Sequence, residues 1–393
     1  MRNRGLKQIA TLLLLLGFGL LTACGGGGGG GDGSGSLTEV GGTVSKGPVA
    51  GAAVAIYALD EVGVKGELLA EATTDGSGAY LADLGEYEGP VLAEATGGSY
   101  LDEGSGETLS IPADASLRAV HSAASGVVTL HVSGLTELAV QVAEAAGLSL
   151  ETIAAAYDQL EEVFGFEAET TAPVAPVSAA LAGASDAEVD YALTLATLSR
   201  LAFDWNLDFD ALLAELADEL AVDGVLSAAT LAAFDAAAAA LLDPENPDNA
   251  TGLAGTAGTG LASVGRTPAT LTLFVGGDLP AGSIGALQLN LVIPEEAFVA
   301  LDAEGEADVT LLAEGIDPDW GWGAFWDMAA GTLNLTFLSF EGLGSGELVT
   351  IDLDLVLGDE VAAEDFVPTN VVALDPLVAE LDDVEFELEL VTE

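Results

Sequence analysis

The chain has 393 residues, half of them hydrophobic, with 64 acidic against 8 basic residues and a formal net charge of −56. A surface of that sign repels phosphate, which excludes nucleic acid and anionic lipid headgroups as partners of the folded part. Mean hydropathy is +0.47, and the carboxylates are interspersed with apolar residues at strand and helix periods, which excludes an acidic disordered chain.

At the N-terminus Arg2, Arg4 and Lys7 precede an apolar run over 9–21. It has the length of a secretory h-region, is short for a relaxed transmembrane span, and leads through small residues to Cys24. Residues 1–23 therefore read as a cleaved export signal. Leu21-Thr22-Ala23-Cys24 resembles the lipobox of bacterial lipoproteins. That resemblance implies diacylglyceryl transfer to Cys24, cleavage before it, and anchoring through more than one acyl chain. The alternative is an ordinary secreted protein with a stray cysteine, and a single cysteine in an exported chain otherwise has no partner. In that family an aspartate after the cysteine favours inner-membrane retention; here the residue is Gly25. The expected location is the outer membrane, with the periplasmic or extracellular face left open.

Residues 24–39, with the run Gly25 to Gly31, lack the side chains to build a core and read as a flexible tether. Without Arg2, Arg4 and Lys7 the chain keeps 8 − 3 = 5 basic residues and a charge of 5 − 64 = −59. Lys46 and Lys65 are its only lysines. Such a skin suits a halophilic source, because at 1 M salt the Debye length falls to about 3 Å. A calcium-loaded surface is the alternative.

Residues 40–118 contain short β-prone runs at 41–45 and 52–57, separated by Gly47-Pro48, and a turn at Asp75-Gly76-Ser77-Gly78. They read as a small β-sandwich. Gly47-Pro48-Val49-Ala50-Gly51-Ala52-Ala53-Val54, with Thr74-Asp75, Gly78 and Tyr80, resembles the carboxypeptidase-regulatory-like sandwich. That family implies a structural or adhesive module with no catalytic set of its own. Asp102, Glu103 and Glu107 concentrate carboxylates in one turn, which reads as solvated because calcium needs six or more oxygen ligands.

From Gly134 the period becomes helical. Over 119–243, Leu135, Leu138, Ala139 and Val142 form one face; Ser149 caps a helix to about Phe164; and Ser185 with Glu188 makes a capping box. Helices at about 209–220 and 228–242 complete a bundle. Gly134-Leu135-Thr136-Glu137-Leu138-Ala139, with Val163-Phe164-Gly165-Phe166, is similar to a helical segment of bacterial surface lipoproteins. Asp204, Asn206, Asp208, Asp210 and Glu215 stand at positions 1, 3, 5, 7 and 12 of an EF-hand loop, so calcium is the metal this spacing admits. Position six is Phe209 rather than glycine, and Asp208 is equally an N-cap with Asp210 near the helix N-terminus. His121 and His131 have no HExxH, Cys/His cluster or nucleophile elbow beside them and read as ordinary strand histidines.

Residues 244–265 form a linker, and over 266–393 the period is two. Leu271 and Leu273; Leu287, Leu289 and Leu291; Leu333, Leu335 and Phe337; Val349 to Leu357; and Val384 to Leu390 alternate with mostly polar neighbours. That pattern makes an antiparallel sandwich with one wet face. Glu385, Glu387 and Glu389 would guard its last strand against edge pairing. Runs such as 285–291, 331–335 and 346–351 resemble a cohesin-type or carbohydrate-binding jelly roll. Before Gly331, Trp320, Trp322 and Trp326 fall within seven residues, flanked by Asp319 and Asp327. They read as rings that stack on a sugar or anchor a protein, with the carboxylates accepting hydroxyl hydrogen bonds, or else as the closure of the sandwich.

The expected fold is thus multidomain α+β, with two antiparallel β-sandwiches flanking an α-helical bundle. The expected role is non-catalytic binding or structural display by a membrane-anchored surface lipoprotein, with a glycan or surface protein as partner and no cofactor unless calcium. An exported hydrolase acting on polysaccharide or ester is the alternative.

Overall fold

The computed structural model describes residues 37–392 apart from 113–114, 257, 278, 295, 302–305, 315, 319–320, 328–329 and 382–383. Cys24 and the glycine tract lie outside the described residues, as do Asp319 and Trp320.

The first nine strands are β1 (Glu39–Ser45), β2 (Ala50–Leu59), β3 (Lys65–Thr73), β4 (Ala79–Asp83), β5 (Gly89–Leu101), β6 (Thr108–Leu109), β7 (Leu117–Ala124), β8 (Val127–Thr129) and β9 (Val132–Ser133). They form two sheets, β4-β1-β8 with β9 also on β1, and β3-β2-β5-β6 with β7 also on β5. Alternate residues such as Val40, Val44, Val54, Ile56, Val91 and Ala93 are buried in one shared core. The turn at Asp75 forms as its sequence demands, with Asp75 Oδ1 accepting from Ser77 N, Ser77 Oγ and Ala79 N at 2.8, 2.6 and 3.1 Å.

One pairing departs from the antiparallel expectation: β1 runs parallel to β8 and to β9. The chain crosses the sandwich after β7 and returns along β1 in the same direction. Between the two short pairings Leu130 and His131 pass directly over Gly42, where a Cβ would lie 2.0 Å from the Leu130 carbonyl oxygen. Thr43 N donates to His131 Nδ1 at 3.2 Å, and burial lowers the pKa of this imidazole.

Helices follow at α1 (Gly134–Ala145), α2 (Leu150–Phe164), α3 (Ser178–Leu181), α4 (Asp186–Trp205), α5 (Phe209–Asp223) and α6 (Ala228–Leu241). Their starts follow the sequence. Ser133, Ser149 and Ser185 each cap a helix through a capping box, and Gly165 and Gly224 end α2 and α5 in the left-handed conformation. Their core includes Leu135, Leu138, Leu160, Tyr191, Leu213 and Phe234, and it also takes in Leu59, Leu92 and Val120 from the first sandwich and Val356 from beyond the linker. No helix among the described residues is long and apolar enough to cross a membrane.

The last nine strands are β10 (Arg266–Val275), β11 (Ile284–Val292), β12 (Ala297–Val299), β13 (Val309–Leu311), β14 (Trp322–Asp327), β15 (Thr332–Leu343), β16 (Gly346–Val356), β17 (Val367–Leu374) and β18 (Phe386–Thr392). They build the sheets β12-β16-β10-β18, with β13 on β16, and β14-β15-β11-β17; every pairing is antiparallel. The period-two leucines meet inside, and β18 is an edge strand with Glu387 and Glu389 exposed. The described residues thus make an α+β fold of four sheets and six α-helices, with two β-sandwiches and helices between them in the chain.

Candidate functional site

The three tryptophans were expected either to present a binding loop or to close the end of the sandwich. Trp322 and Trp326 lie in β14, paired opposite Phe337 and Leu333 of β15, and they share the inward parity of those buried residues, as the second reading requires. Both are half-buried against the core, and Trp322 Nε1 donates to Pro318 O at 3.2 Å. Asp327 Oδ1 accepts from Ala330 N at 3.1 Å, which makes it a turn residue. The outward aromatic of this strand is Phe325, 67% exposed.

Phe325 belongs to a broad neutral face. Across β14-β15-β11-β17 one outward row reads Gly323, Thr336, Gln288 and Val372, and the next reads Phe325, Asn334, Asn290 and Thr369. A third row joins Leu338, Ala286 and Leu374. No charged side chain stands in these rows. The other sheet of the same sandwich turns Asp352, Asp354, Glu387 and Glu389 outward, whereas on this sheet carboxylates stand at the margins of the three rows, with Asp327 in the next row beside Thr332 and Glu341 near the end of β15. Nothing in the sequence of β14 alone distinguishes the two parities; the signal was the run of uncharged residues at alternate positions of β11 and β15.

The EF-hand spacing does not assemble into a loop, and the helix-cap reading of the same residues describes the structure. Asp204 lies within α4 and pairs with Arg200 at 3.0 Å, Asn206 is the left-handed C-cap of α4, and Asp208 is the N-cap position of α5. Asp210 and Glu215 are in α5. Two helices and a three-residue connection occupy the span that a twelve-residue loop would need, and among the described residues no three His, Cys, Asp or Glu side chains gather to hold a metal.

The acidic turn after β5 is likewise not a solvated one. Asp102 is 5% exposed and accepts from Lys46 Nζ at 2.9 Å. Burial alone would raise its pKa, but the attraction and hydrogen bond of Lys46 and the hydrogen bonds of Ser105 together hold it below the ordinary carboxylate value. Beside this pair a cleft of about 480 Å³ opens between the turn and α4 and α5, lined by Tyr100, Glu107, Phe203, Asp208, Phe209 and others. His121, in β7, faces Glu169 at 3.2 Å, and His131 Nδ1 stands 2.9 Å from the Thr43 hydroxyl.

Comparison with known proteins returns no matching family and no matching curated protein. Among solved structures the chain is similar to the major pilin subunit of Bacillus cereus, at 7% identity and a TM-score of 0.21, over 91% of this chain and 69% of that one. So low a score carries no argument about fold or role.

Proposed function

We infer that this chain is a non-catalytic binding protein displayed at the cell surface through a lipid on Cys24, and that the outward face of β14-β15-β11-β17 is its docking platform for an uncharged polysaccharide. The observation that carries the reading is the neutral face itself, within a chain of net charge −56. An exposed ring offers the apolar side of a sugar a stacking partner, and the amides of Gln288, Asn290 and Asn334 can donate to and accept from its hydroxyls. The lipobox, the lone cysteine and the glycine tract support anchoring.

Retention of the full chain on insoluble uncharged polysaccharides tests this, with Phe325→Ala and Asn334→Asp as probes. Both variants should lose about tenfold or more in affinity while melting with the wild type. A wild type that no such polysaccharide retains, or variants that bind equally well, would overturn it.

A further inference from the structure

Lys46 stands in the turn just past the end of β1, yet its side chain is only 5% exposed. Its Nζ has exchanged water for two aromatic rings, 4.6 Å from the centroid of Tyr100 and 4.2 Å from that of Phe209. Asp102, just past the end of β5, presents Oδ1 to that nitrogen at 2.9 Å, and its own side chain is 7% exposed. The other oxygen, Oδ2, accepts from Ser105 N and Oγ at 2.9 and 2.8 Å, which fixes the carboxyl group with Oδ1 toward the amine. Two charges shut away from water in this manner recover little against their lost hydration.

A second carboxyl group, that of Glu103, is near enough to feel the charges of Lys46 and Asp102, although the ion pair itself is made by Asp102 alone. Glu103 Oε2 is closed to solvent and has no hydrogen-bond partner among the described residues. Its Oε1 lies over Gly47, the residue after Lys46, where a Cβ would come within 2.6 Å of it; Gly47 adopts φ +66°, which suits glycine. Burial pushes the Glu103 carboxyl up to about 7, so its protonated and ionised forms are both accessible near neutrality.

We propose that Lys46 and Asp102 condense within the folded chain to an intramolecular amide, with Glu103 as the proton carrier. Ionised Glu103 takes a proton from the Lys46 ammonium, and the free amine attacks Cγ of Asp102. A C–N bond forms, a C–O bond breaks, and the departing oxygen receives two protons, the one Glu103 took from the ammonium and a second that the nitrogen sheds through Glu103 on becoming an amide, and leaves as water. Ammonium and carboxylate have become amide and water, no oxidant or co-reactant is consumed, and Glu103 is regenerated. Near contact between fixed groups in a dry site replaces the activation that amide formation in water requires. The crosslink ties the end of β1 to the end of β5.

Peptide mapping of the full chain decides the matter. Cleavage after glutamate under denaturing conditions gives fragment 40–61, which holds Lys46, and fragment 95–103, which holds Asp102. The expected result is one joined species, lighter than the two fragments together by one water, with Lys46 unreactive toward an amine reagent after denaturation. The joined species should vanish in Lys46→Arg and Asp102→Ala. Glu103→Gln, folded by circular dichroism, should retain only a small joined fraction; a full joined fraction there would overturn the part assigned to Glu103. Linear fragments alone in the wild type, with Lys46 labelled, would overturn the amide, and so would a joined species that survives Asp102→Ala.

Discussion

Glu103 makes a measurable prediction in the pH dependence of stability, to which the loss of a crosslink in Glu103→Gln would add only an offset that is the same at every pH. Glu103→Gln keeps the size of the side chain and removes its titration. In the unfolded chain this group ionises near 4.5, and in the fold near 7. Below the lower value it is protonated in both states and contributes no pH dependence. Between the two values the unfolded chain releases a proton that the folded chain keeps, so stability falls with rising pH, and above about 7 the loss is complete. At about 1.4 kcal/mol per pKa unit, the wild type should be destabilised by about 3 kcal/mol at pH 8 relative to pH 4.5 through this one group. The other carboxylates cancel when variant and wild type are compared at each pH. Thermal melts should therefore shift relative to one another with pH, Glu103→Gln gaining about 6–12 °C on the wild type between pH 4.5 and pH 8, taking about 2–4 °C per kcal/mol. Melting curves that keep a constant separation from pH 5 to pH 8 would refute the burial argument.

Four further outcomes are expected. Lowering NaCl from molar to millimolar should lower the melting temperature clearly, because unscreened carboxylates repel one another; coincident midpoints would remove the high-salt reading. Trp326→Ala should cost about 3 kcal/mol or more of stability, as loss of a ring packed on the core does, whereas Phe325→Ala should change stability little and glycan retention much. Gly42→Ala should destabilise the first sandwich, since its Cβ would stand 2.0 Å from the Leu130 carbonyl oxygen; calorimetry would show it. Cys24→Ala should move the protein from the membrane to the soluble fraction, and full retention with the membrane would mean that acyl chains do not hold it.

The third region was legible because its pattern carries one bit per residue. A half-solvated sandwich needs alternation, and Leu287, Leu289, Leu291, Leu333, Leu335 and Phe337 all went inside. Helix starts were legible for a local reason: a serine with its partner three residues on satisfies backbone donors without help from the rest of the chain. Long-range partners were not legible. Asp102 sits in a turn rich in carboxylates and glycine, and only its approach to Lys46, 56 positions earlier, makes it a buried ion-pair member. Trp322 and Trp326 share a parity, but the pairing of β14 with β15 decides which parity faces the core. The EF-hand spacing arose from a C-cap and an N-cap placed in succession, each with its own preference for Asn or Asp.

The same logic explains where the few cations went. Of the 8 basic residues, five lie beyond position 36: Lys46, Lys65, Arg118, Arg200 and Arg266. Every one is paired with a carboxylate, and all but Arg118 also stand over an aromatic ring. Three of them sit where sheets meet helices. Lys46, just past the end of β1, reaches Phe209 of α5; Arg118 of β7 binds Glu137 and Glu144 of α1; and Arg266, at the start of β10, binds Asp235 of α6 and stacks on Phe298. A chain that has cleared its surface of positive charge, and that carboxylate repulsion would otherwise push apart at such joints, keeps a cation where two layers must be held together. It follows that Arg118→Gln and Arg266→Gln should lower stability more at low salt than at molar salt, since each removes an attraction that opposes unscreened repulsion. Equal losses at both salt concentrations would show that these residues act through packing alone.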